Sequence, residues 1–168
     1  MSPIWKMTIA LIVLLQALPF HANGQVVTAC AETPLLSGTD TSGLSKRIID
    51  IEERVSSEGA TYVVYFRGAQ PELVVSEQFG EVGRATYSVR LINGSFKNYA
   101  ALVYWYDYSS PVYMEDSRVI SIQTDSFIVC NGARISGVAA DDGRKIESTR
   151  LVNDILAIVS SEMGKRAR

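Results

Sequence analysis

From Ala60 onward the chain takes on a two-residue period that recurs as far as Val138. Alternation of that kind puts successive side chains on opposite faces of an extended backbone, so it commits the middle of the chain to strands. Arg84 to Ile92 carries it most cleanly, with Ala85, Tyr87, Val89 and Leu91 on one face and Thr86, Ser88 and Arg90 on the other. Asn93-Gly94 follows directly, the dipeptide favoured in two-residue hairpin turns because both central residues need positive φ. A second Asn-Gly, at 131–132, joins Phe127–Cys130 to Ala133–Val138 in the same way. Further strands are expected over Thr61–Arg67, Glu72–Ser76, Tyr99–Tyr108 and Arg118–Gln123.

Helical spacing flanks this block on both sides. Leu44, Ile48, Ile51 and Val55 fall at i, i+4, i+7 and i+11, which predicts a helix between Ser42 as its cap and Gly59 as its stop. Leu151, Ile155, Ile158, Val159 and Met163 predict a closing helix over about Ile146–Met163, with Gly164 as its stop. Strands grouped between helices point to an α+β fold: an N-terminal helix, an antiparallel sheet of about five to six strands, and a C-terminal helix packed on one face. With 168 residues and 47% hydrophobic content, the chain makes one core-forming domain.

The first 24 residues read as a secretory signal: Lys6, an apolar run from Met7 to Leu18, Pro19, then small residues at Ala22 and Gly24. The run falls short of the roughly 20 apolar residues a membrane-spanning helix needs, and no second long apolar run follows. The expected mature domain, residues 25–168, is therefore exported, periplasmic or secreted, with no integral membrane span. Cleavage removes Lys6 and His21 and no acid, leaving 15 basic and 18 acidic residues, a net charge of −3. That charge gives no electrostatic basis for nucleic-acid binding. The sole histidine leaves with the signal. Ser-His-Asp and Cys-His nucleophile systems and histidine-ligated zinc are thereby excluded from the mature chain.

Cys30 and Cys130 form an even pair in an exported chain and are expected to be disulfide-bonded, closing a loop of about 100 residues. Val27-Thr28-Ala29-Cys30 resembles the lipobox of bacterial lipoproteins, which would instead imply acylation of Cys30. Asn93-Gly94-Ser95 fits an N-glycosylation sequon, although the hairpin already accounts for its first two residues. Asp141-Asp142-Gly143 lacks the spaced ligands of a calcium loop and is expected to cap the last helix, so no metal or cofactor is expected.

The unusual feature is Tyr104-Trp105-Tyr106-Asp107-Tyr108, with Tyr113 nearby. On a strand the three tyrosines share one face, while Trp105 and Asp107 share the other with Val103. Aromatic residues also favour strands for their own sake. If the tyrosines face outward, Tyr104, Tyr106, Tyr108 and Tyr113 make a rigid amphipathic surface of the kind enriched in protein interfaces. The function expected is non-catalytic contact with another protein, for example one of the cell envelope, as an inhibitor, an immunity-type protein or an accessory subunit. Two alternatives stand beside it: a glycan or cell-wall hydrolase using Asp107, Glu115 or Asp116, and a carrier of a small apolar ligand held between sheet and helices.

Overall fold

The computed structural model describes residues 30, 32–49, 59–139 and 141–165. The expected signal segment lies outside the described residues. Seven strands run in chain order: β1 (Ser45–Ile49), β2 (Ala60–Arg67), β3 (Gln70–Phe79), β4 (Gly83–Ile92), β5 (Ser95–Tyr108), β6 (Val119–Cys130) and β7 (Ala133–Val138). One helix, α1 (Asp142–Lys165), closes the chain. Each strand pairs antiparallel with the next, so the sheet is a meander whose spatial order is its sequence order. Both Asn-Gly turns form as expected, with positive φ at Asn93, Gly94, Asn131 and Gly132.

The fold is mostly β, and the expected N-terminal helix is not found. Where its first turns were predicted, Ser45–Ile49 is instead an edge strand in register with Tyr62–Phe66; residues 50–58 lie outside the described residues. The apolar stripe misled because its spacing rested on few residues. Within β1 only Ile49 faces the core, whereas Ile48, a member of the predicted stripe, is 65% exposed. An edge strand needs little more than one inward β-branched residue, and pairing with β2 overrides a short helical pattern. Lys46 and Arg47 then charge the free edge, a common guard against intermolecular pairing. The segments expected at 118–123 and 127–130 prove to be one continuous strand. The polar residue between them, Asp125, is buried in an ion pair with Arg134 (2.7 Å) rather than placed in a turn.

The sheet's two faces are covered differently. On the near face Tyr62, Val64, Val74, Tyr87, Val89, Tyr99, Val103, Phe127 and Val129 pack against Val152, Ile155, Leu156 and Val159 of α1. Asp141 caps that helix by accepting the Arg144 N–H at 2.7 Å, as its sequence position suggested. Gly137 permits β7 to lie close to β6, because a Cβ there would come within 2.6 Å of Phe127 Cβ. On the far face, the segment from Thr33 to Leu44 crosses from β6 back to β1. Cys30 and Cys130 stand at disulfide distance, their Cα atoms 6.0 Å apart. Leu36 packs against Ala100 and Ile128, and its carbonyl accepts a hydrogen bond from Ser126 Oγ (2.8 Å). Farther along, the Thr39 and Ser88 hydroxyls bond each other, and Arg90 donates to the Asp40 carbonyl (3.0 Å).

Candidate interaction face

The row Ser88–Leu102–Ser126, taken across β4, β5 and β6, marks the lower border of the arm. The next rows on the same face are Thr86–Tyr104–Thr124 and Arg84–Tyr106–Ile122. The alternation predicted for the aromatic stretch is therefore realised. Tyr104 and Tyr106 point away from the helix, while Trp105 turns toward it and donates from its indole N–H to Ser148 Oγ (3.1 Å).

Tyr104 and Tyr106 stand as a tilted pair, ring centroids 6.4 Å apart at 37°. The Arg84 guanidinium lies 5.5 Å from the Tyr106 ring and pairs with Glu77. This cation is thus anchored beside the tyrosines rather than free to sweep the surface. Tyr108 continues the strand past an irregularity in register between Asp107 and Tyr108, where its N–H bonds the Val82 carbonyl (3.1 Å). Tyr113 is not on the sheet. It sits 70% exposed on the connection from β5 to β6, which is tied down by the Val112 N–H to Glu81 carbonyl bond (2.9 Å) and the Ser109 N–H to Arg118 carbonyl bond (2.9 Å). The structure accordingly brings Tyr104 and Tyr106 into contact and leaves Tyr108 and Tyr113 at the margin.

Sequence reasoning missed the aliphatic part of this surface. Of the twelve large hydrophobic residues exposed among the described residues, eight belong to the β5–β6 connection, the first half of β6, or β7: Val112, Tyr113, Met114, Val119, Ile120, Ile122, Ile135 and Val138. Apolar alternation at Ile120 and Ile122 reads as a core strand. The usable signal was cross-strand: Ile122 lies opposite Tyr106, so the two must share a face.

The three carboxylates considered for catalysis are dispersed in role. Asp107 accepts from Ser121 Oγ (2.6 Å) and pairs with Arg144 (3.5 Å) on the near face. Glu115 and Asp116 are exposed on the β5–β6 connection. On the near face burial dominates the titration of the tyrosines: desolvation pushes the hydroxyls of Tyr87, Tyr99 and Tyr62 above the ordinary phenol value. Among the described residues no group of three or more metal-ligating side chains is placed to hold an ion, and no helix is long and apolar enough to cross a membrane. No protein-family model, curated protein or solved structure matches this chain.

Proposed function

We propose that this protein is exported and works by binding another protein through the open half of the far face, with Tyr104, Tyr106 and Ile122 at the centre and Tyr108 and Tyr113 at the rim. The observation that carries this reading is the concentration of exposed aliphatic and aromatic side chains beside the Tyr104–Tyr106 pair. Exposed apolar side chains gathered beside an aromatic pair are characteristic of interaction sites. Its chemistry suits a protein surface presenting apolar anchors: tyrosine offers large area at small entropic cost, and Arg84 is held in place beside it. Export is supported by the cysteine pair, since Cys30 is buried against Ala100, Ile128 and Cys130. Acylation of Cys30 would require it to leave that position.

The test compares affinity capture from the envelope and medium of the exporting cell using the unaltered chain, Tyr106→Ala, Ile122→Asp and, as a control on edge strand β1 at the other end of the same face, Ile48→Asp. A partner retained by the unaltered chain and by Ile48→Asp, but weakened by ~1–3 kcal/mol in Tyr106→Ala, supports the reading. Equal retention by all four, or no retained protein, contradicts it.

A further inference from the structure

The end of the sheet beside the start of α1 carries a feature that the proposed protein contact shares only at Arg84 and Tyr106. Between the β3–β4 turn and the start of α1 opens a cleft of about 330 Å³, within the size range of small-molecule sites. Tyr87 and Trp105 line it from the sheet, Arg144 and Glu147 from the helix, and Gln78, Arg84 and Asp107 add further polar groups.

Gln78 is the informative residue. It is only 8% exposed; its Oε1 accepts from Tyr87 Oη at 3.5 Å, and its Nε2 has no hydrogen-bond partner. A buried donor left unpaired costs about 1–3 kcal/mol. Turning the amide over would only exchange which of its atoms lacks a partner. An apolar residue here would remove that cost only by taking the acceptor from Tyr87 Oη, and the amide N–H that is still unpaired points to an acceptor arriving from outside.

The rest of the cleft narrows what that group belongs to. The Arg144 guanidinium lies over the Trp105 ring at 4.5 Å and reaches Asp107 (3.5 Å), Glu147 (3.2 Å) and Gln123 Oε1 (3.2 Å). With Arg84 also lining the cleft, two acids face two bases, so neither an anion nor a cation is favoured. A purely apolar ligand would leave Gln78 unpaired. A neutral ring carrying hydroxyls around its edge meets these requirements: oxygen acceptors for the Gln78 N–H, O–H donors for the carboxylates, and a carbon-bound face for Leu151.

We propose that this cleft binds a sugar ring, either as a free monosaccharide or as the end unit of a glycan. The experiment titrates glucose, and separately a glucose tetrasaccharide, into the full chain while following the Gln78 side-chain amide and Trp105 indole N–H signals by NMR. Saturable shifts of both signals are expected, with affinity at least tenfold weaker in Gln78→Leu, whose fold is checked by an unchanged Trp105 indole N–H signal in the absence of sugar. Response to glucose identifies a free-sugar site, and response to the tetrasaccharide alone identifies a glycan end. Absence of saturable shifts with either sugar in the unaltered chain overturns the proposal, as does equal affinity in Gln78→Leu.

Discussion

Trp105 and Tyr106 are neighbours on one strand, yet they belong to different environments. Trp105 is held by the helix through Ser148 and Arg144. Tyr106 has Tyr104 on its own strand, Arg84 beside it and exposed Ile122 across from it. The same contrast extends over the whole sheet. The near face is filled by side chains from six strands and a helix, with Val64, Val89, Tyr99, Val103, Phe127, Val129, Val152, Ile155 and Val159 at 0% exposure. On the far face, cover among the described residues comes from a short arm and stops at the row through Leu102. A seven-stranded meander needs one buried face to be stable, and the other becomes available for recognition. On the proposed function, stability and interaction are separated by one residue step along β5.

The contrast can be broken from the near side first. Asp125→Ala would leave Arg134, with its side chain 10% exposed, as a buried charge without its carboxylate partner. The expected loss is about 3–5 kcal/mol, read as the urea midpoint of unfolding. A loss below about 1 kcal/mol would mean that the near face tolerates an unpaired charge and is wetter than its packing implies.

The arm is the intermediate case. Replacing Cys30 and Cys130 together by serine removes the closure of a 100-residue loop, and the chain-entropy model puts the loss at ~4–5 kcal/mol as an upper bound. Because the near-face core does not include the arm, the folded variant should keep slow amide exchange at Val89, Val103 and Val129 and lose protection around Ser88 and Ser126. Uniform loss of protection would show instead that the sheet depends on its far-face cover.

Much of this division was legible in the sequence, and the exceptions have physical reasons. The hairpin turns at Asn93-Gly94 and Asn131-Gly132 were readable because positive φ at two successive positions selects those residues. The opposed faces of Tyr106 and Trp105 follow from the strand period alone. The edge strand at Ser45–Ile49 was not readable, because its identity comes from pairing with Tyr62–Phe66, a partner distant in sequence. The continuity of β6 between the strands expected at 118–123 and 127–130 was not readable, because the partner of Asp125, Arg134, lies on the next strand. The exposure of Ile122 and Val138 was not readable, since a sequence shows which residues share a face but not which face is covered. The cleft at Gln78 was invisible for a similar reason: its lining is assembled from β3, β4, β5 and α1.

The separation of the two faces is tested most directly by measuring unfolding free energies of Trp105→Ala and Tyr106→Ala under the same conditions. Loss of the indole with its Ser148 and Arg144 contacts should cost about 2–4 kcal/mol. Loss of the neighbouring phenol should cost less than about 1 kcal/mol, near the range for surface substitutions. Equal costs, or a larger cost at Tyr106, would place the tyrosine row in the structural core and contradict its assignment to recognition.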